Sequence, residues 1–284
     1  MIRKITALFS GLSVALILGT GATQAEPAER IVSAGGSITE IIYALGQEHR
    51  LVARDSTSNY PAEVSELPNI GYVRRLSAEG LLSVNPDLIL AEEGAGPPET
   101  LAVLEETQIP IVSVPMGHNR AAVMDKIRTV AKALDVPEQG EQLADSVGAA
   151  IDSATSQEGL ENKRVLFVLS MQSGRILAAG TNTAAQGIIE MVGATNVVQG
   201  FEGYKPLGDE AIITAAPDVI LMMEAGGFLS VPDADVLAHP AIAVTPAGQN
   251  GDVLRMDGML LLGFSVRTGQ AITDLAAGLR DANG

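Results

Sequence analysis

LSAEGLLSVNPDLILAEEGAG (residues 76–96) recurs without a gap as LGDEAIITAAPDVILMMEAGG (residues 207–227), at a constant offset of 131 residues. Leu76/Leu207, Glu79/Glu210, Pro86/Pro217, Asp87/Asp218, Ile89/Ile220 and Leu90/Leu221 are identical pairs. Each copy reads as a short helix, a Pro-Asp turn and a buried apolar strand. The period is far too long for a solenoid and predicts two similar lobes.

The echo continues outward. GYVRRLSAEG (71–80) precedes the first copy and GYKPLGDEA (203–211) the second, while SITEIIYALG (37–46) resembles TAAQGIIEMVG (183–193). Ser37 and Glu40 form a capping-box pattern, and Gly46 and Gly193 are natural helix stops. RIVSAGG and KRVLFVLSMQSG read as the opening strands of the two lobes. A helix over about Pro98–Gln108 and the strand IPIVSVP (109–115) complete the first, and a helix over roughly 259–281 ends the chain. Alternating strands and helices predict an α/β fold: two Rossmann-like lobes with mostly parallel sheets.

Residues 26–118 thus form an N-terminal lobe and 161–284 a C-terminal lobe, with 119–160 between them. That connector is strongly helical with a break at Pro137, and too poor in Gly and Ser to be a flexible linker. It predicts lobes that hinge only slightly. Ligands of open α/β sheets bind outside the carboxyl ends of the strands. The loops to inspect are therefore 34–37, 55–62, 71–76, 92–98, 115–119, 170–176, 201–207, 224–230 and 257–267.

The start of the chain stands apart. MIRKITALFSGLSVALILGTGATQA (1–25) has a basic beginning, an apolar run too short to span a bilayer, and small residues before Ala25. It reads as a secretory signal peptide and implies a periplasmic protein whose mature chain does not insert in a membrane. With no cysteine the chain has no disulfide, lipidated N-terminal Cys or thiolate site. Loss of Arg3 and Lys4 takes the formal net charge from −16 to −18, which disfavours nucleic acid as a partner.

Enzyme signatures are missing. VSAGGSITE lacks the spacing of a dinucleotide loop, and no phosphate-binding GxxxxGK[ST], GxSxG elbow or HExxH occurs. Among the three histidines only His118 falls in a cleft loop, which argues against a site for bare zinc or manganese. Tyr60, in RDSTSNYPAEV (54–64), suits other chemistry. Phenolate is a hard anionic donor for Fe(III), and tyrosine is an axial ligand of haem iron. Free tyrosine has a pKa near 10, so a metal ion or a nearby guanidinium must help it lose its proton. Arg74 and Arg75 are the cations available on the neighbouring GYVRRL loop; they could equally pair with haem propionates.

RIVSAGGSITEIIYALG, DSTSNYP, IGYVRRLSAEGLLSVNPDLILAEEGAG, RILAAGTNTAAQGIIEMVGATN, GYKPLGDEAIITAAPDVILM and MDGMLLLGF together resemble the periplasmic haem-binding proteins of bacterial haem ABC importers. The resemblance spans nearly all of residues 29–280; that to cobalamin and siderophore binding proteins is looser. It implies two lobes joined by a long helix, ferric haem as the transported ligand, Tyr60 as its axial ligand, and no covalent attachment. Met171 stands near the place of a second-lobe axial histidine in some relatives, with His118 an outside candidate. Tyr204, in the second GYK, joins the cleft residues. Glu79 and Glu210 match the glutamates with which this class docks on an inner-membrane permease coupled to its ATPase. A monomeric carrier is expected. The competing readings are a cobalamin or ferric-siderophore carrier, or a periplasmic α/β enzyme.

Overall fold

The computed structural model describes residues 27–156, 158–224 and 231–282. The expected signal peptide and most of the 224–230 loop lie outside the described residues. In the first lobe β1 (Ile31–Ala34), α1 (Gly36–Ala44), β2 (Leu51–Arg54), α2 (Ala78–Leu82), β3 (Leu88–Glu92), α3 (Pro98–Glu105) and β4 (Ile111–Val114) follow one another. Their strands form a sheet in the order β2-β1-β3-β4, parallel throughout.

The second lobe comprises β5 (Arg164–Gln172), β6 (Arg175–Ala179), α6 (Ala184–Met191), β7 (Thr195–Asn196), β8 (Tyr204–Leu207), α7 (Asp209–Ala215), β9 (Val219–Met223), α8 (Asp233–Leu237), α9 (Pro240–Ala243), α10 (Pro246–Asn250), β10 (Val253–Met256), α11 (Gly258–Leu262) and α12 (Thr268–Asp281). Its sheet runs β10-β9-β5-β6-β8, with β7 beside β5. It is mixed rather than parallel: β6 is antiparallel to both β5 and β8.

The repeat is visible atom by atom. Asp87, in the first Pro-Asp turn, accepts the backbone N–H of Glu29 and Arg30, each at 2.9 Å. Arg30 returns its guanidinium to the carbonyls of Asn85 (2.8 Å) and Val84 (2.6 Å). In the second lobe Asp218 accepts the N–H of Arg164 at 2.8 Å, and that guanidinium reaches the Ala215 carbonyl at 2.6 Å. The Pro-Asp turn thus ties the start of each lobe's first strand to the end of its repeated helix, satisfying groups that a helix end leaves open. Gly46 and Gly193 close their helices at φ 69° and 83°, a region that favours glycine.

The connector is two helices, α4 (Arg120–Ala133) and α5 (Pro137–Thr155), instead of one long one. Asp135 turns the chain at φ 60° and Pro137 restarts it at the first helical position, where its missing N–H costs nothing. Asn119 caps α4 through its side chain. The main core joins residues of α1, α4, α5, α12 and both sheets, among them Ile41, Ile127, Ile151, Phe167 and Leu275, so both lobes pack on the connector. Gly36 marks how close the lobes come: a Cβ there would lie 2.6 Å from Met259 Cε of the second lobe.

The terminal helix expected over 259–281 is divided. Phe264, at φ 47°, separates α11 from α12 and leaves a loop that turns toward the first lobe. Ser37 and Glu40 do not form a capping box either. Gly35 occupies the N-cap, and both side chains lie buried inside the lobe boundary.

Candidate functional site

A cleft of about 590 Å³ lies between the lobes, within the size range of small-molecule sites. The first lobe contributes Thr57, Asn59, Tyr72, Val73, Arg74 and Glu92, followed by Met116 and His118 on the way into α4. Across from them stand Asn182, Thr183, Ala184, Tyr204, Met223, Glu224, Asp257, Met259 and Leu262. Most of the loops at the strands' carboxyl ends converge as expected.

The loop carrying Tyr60 owes its shape to a buried carboxylate. Asp55 accepts from the N–H of Gly35 (3.2 Å) and Thr57 (3.0 Å) and from the hydroxyl of Ser58 (2.9 Å), while Ser58 also meets the Thr39 hydroxyl at 2.7 Å. The small polar residues before Tyr60 therefore curl inward around Asp55, as Asx-type turns do. Asn59 lines the cleft; Tyr60, the next residue, is not among the lining residues and has 46% of its surface exposed. Its phenol is not part of the core.

The cation that packs on the Tyr60 ring is one the sequence did not single out. Arg267, from the loop before α12, lies with its guanidinium carbon 3.8 Å from the centre of the Tyr60 ring. Arg74 lines the cleft and donates to the Glu93 carbonyl at 2.8 Å. Arg75 lies 5.9 Å over the ring of Tyr72. Arg267 ends the 257–267 loop marked for inspection, but the overlapping helix expected over 259–281 gave no reason to single it out.

Met171 does not join the cleft. The β5–β9 pairing ends at Val168, but β5 continues to Gln172 in a hairpin with β6. That extension places Met171 in a separate depression with Val231, Asp235 and His239. Tyr204 does line the cleft, its ring edge-on to Phe167 at 6.3 Å. Burial raises its pKa, against hydrogen bonds at Ala185 and Thr183. Glu79 and Glu210 are exposed in the first turns of α2 and α7, at matching places in the two lobes.

Beneath the cleft lies Lys126 of α4, wholly buried. Its ammonium donates to Ser37 Oγ (3.1 Å) and to the Gly263 carbonyl (3.2 Å). Burial lowers its pKa from 10.5 to about 8, although Glu92 and Glu40 oppose the shift. Burial also raises Glu92, against the pull of Lys126 and Arg74, and lowers His118, whose ring meets Phe264 at 5.4 Å. Between pH 8 and 10.5 the unfolded chain holds a proton on Lys126 that the folded chain has lost, so this residue makes stability rise with pH there. The slope approaches about 1.4 kcal/mol per pH unit, and the full cost of the buried charge is present below that window. Lys126→Met should therefore lose stability relative to the wild type as pH is raised from 8 to 10. Urea midpoints of the two proteins at pH 7, 8.5 and 10 measure this, and parallel pH profiles would contradict it.

Among the described residues no three His, Asp or Glu side chains converge as a bare metal site requires. None of their helices is long and apolar enough to cross a membrane. Two α/β lobes on a helical connector, with a cleft lined from both sides, define a solute-binding protein. The sequence pattern of the periplasmic binding protein family matches residues 31–260, and the chain belongs to that family. It is similar to the periplasmic heme-binding protein RhuT from Roseiflexus sp. RS-1 in apo form, with 42% identity and a TM-score of 0.86 over 90% of this chain and 99% of that one. The periplasmic heme-binding protein BhuT in complex with two hemes is 40% identical, with a TM-score of 0.83 over 89% of this chain and 98% of that one. The vitamin B12-binding protein of Vibrio campbellii (strain ATCC BAA-1116) is 26% identical over 195 residues, 68% of this chain and 70% of its own length.

Proposed function

We propose that this protein captures ferric haem in the interlobe cleft through a bond from the Tyr60 oxygen to iron, and delivers it to an inner-membrane ABC importer. The observation that carries this reading is the exposed Tyr60, next in sequence to the cleft-lining Asn59, with the Arg267 guanidinium on its ring. Cation–π attraction to the guanidinium holds the ring in place, and a phenolate oxygen is a hard donor for Fe(III). The cleft suits the rest of a porphyrin. Val73, Met116, Ala184, Met223, Met259 and Leu262 offer apolar cover from both sides, and Arg74 is a fork for a propionate. Tyr72 and Tyr204 add flat surface. The greater likeness to heme-binding proteins than to the cobalamin-binding relative supports haem over cobalamin.

Glu79 and Glu210 take the role of docking residues, one on each lobe, each meeting a cation on the permease. Their exposed, repeat-related positions support this. The mature chain works in the periplasm after loss of residues 1–25. Titration of the purified protein with hemin tests the ligand. A shifted Soret band with the charge-transfer absorption of tyrosinate-bound ferric haem is expected, with no comparable response to cyanocobalamin. A spectrum identical to free hemin would refute the reading.

A further inference from the structure

The loop between α11 and α12 belongs in sequence to the second lobe and has local hydrogen bonds of its own, yet several of its contacts reach the connector and the first lobe. Its Gly263 carbonyl accepts from Lys126 of the connector at 3.2 Å. Phe264 is buried against the His118 ring. The Ser265 hydroxyl donates to Glu40, and Arg267 donates to both oxygens of the same carboxylate, with Nε at 2.9 Å. Glu40 sits on α1 of the first lobe and is 2% exposed. Arg267 then covers the ring of Tyr60, a first-lobe residue again. The chain of contacts runs first lobe, second lobe, first lobe.

We propose that Glu40 is a positioning residue for iron capture, a latch across the lobe boundary that holds Arg267 over Tyr60. This rests on Tyr60 being the iron ligand, and it adds how the lobe arrangement governs that ligand. Stability alone gives no reason for the pair, because taking a carboxylate and a guanidinium out of water offsets most of their attraction. Geometry gives one. A planar guanidinium gripped at two nitrogens has little rotational freedom, so it presents a fixed face to the ring. The phenol, half exposed and outside the core, has no comparable packing of its own. A lobe displacement that parts Glu40 from Arg267 removes the cation from the ring at the same time. Docking that moves the lobes would thereby loosen the iron bond without touching haem.

The test is hemin release to excess apomyoglobin, read together with the visible spectrum, in wild type, Glu40→Gln, Glu40→Asp and the double variant Glu40→Gln/Arg267→Gln. The double variant guards against misfolding, since it leaves no unpaired charge inside the protein. Removing a group that orients a metal ligand typically costs 10–100-fold, so Glu40→Gln and the double variant should release hemin at least about tenfold faster than wild type, with a displaced charge-transfer band. Glu40→Asp, which keeps the charge, should recover the wild-type band position. A merely structural role would lower the melting temperature and leave band and release rate unchanged. Folded variants with wild-type band and release within about twofold would overturn the latch while leaving Tyr60 as ligand. A wild-type protein without the tyrosinate band would overturn both.

Discussion

Replacing Tyr60 by alanine is expected to weaken hemin binding by about 100-fold or more, or ~3 kcal/mol, while the fold persists. The magnitude follows from what the group would supply. Groups that only orient a metal ligand contribute 10–100-fold to affinity, so the ligand itself contributes at least the upper end of that range. The persistence of the fold follows from its surroundings. Tyr60 is 46% exposed, and the loop before it is held by Asp55, Ser58 and Thr39, none of which the substitution touches. Surface changes of this kind usually stay within about 0.5 kcal/mol. Thermal unfolding of the apoprotein separates the two effects. Tyr60→Phe should behave like alanine, because it retains the ring under Arg267 and loses only the oxygen. Wild-type affinity in either variant would remove Tyr60 from the site.

Glu79→Ala combined with Glu210→Ala should abolish stimulation of the importer's ATPase by the haem-loaded protein and leave hemin affinity within about twofold of wild type. Both carboxylates are exposed at the first turns of their helices and are absent from the cleft lining. Truncating one member of an interfacial charge pair costs roughly 2 kcal/mol or more, so losing one on each lobe weakens docking by ~4 kcal/mol, close to three orders of magnitude. Each single variant should fall in between. ATPase rates in reconstituted vesicles, titrated with each variant, give the comparison; full stimulation by the double variant would exclude these residues as docking contacts.

What was legible in the sequence was local grammar. The Pro-Asp turns announced the repeat, and the structure gives each the same task of binding an arginine-led strand. Gly46 and Gly193 were legible because a left-handed residue after a helix favours glycine wherever it occurs. The convergence of most strand-end loops followed from parallel β-sheet topology. Errors arose where distant residues override local pattern. Ser37 and Glu40 have the spacing of a capping box, but their side chains serve Lys126 and Arg267, and Glu40 pairs with a residue 227 positions away. Apolar residues over 259–281 mimic one helix, because the break at Phe264 is imposed by packing against His118 and the first lobe. Met171 stands near a strand end, as a cleft residue should, yet its strand runs past the sheet edge into a hairpin that local spacing does not reveal. Arg267, the cation that meets Tyr60, lay within the loop 257–267 but was not singled out, because the helix expected over 259–281 overlapped it.

The most direct measurement is a crystal structure of the protein loaded with hemin. Iron bonded to the Tyr60 oxygen, with the porphyrin in the interlobe cleft and Arg267 still against the phenol ring, is the expected result. Haem bound elsewhere, or held in the cleft by another ligand with Tyr60 turned to solvent, would contradict it.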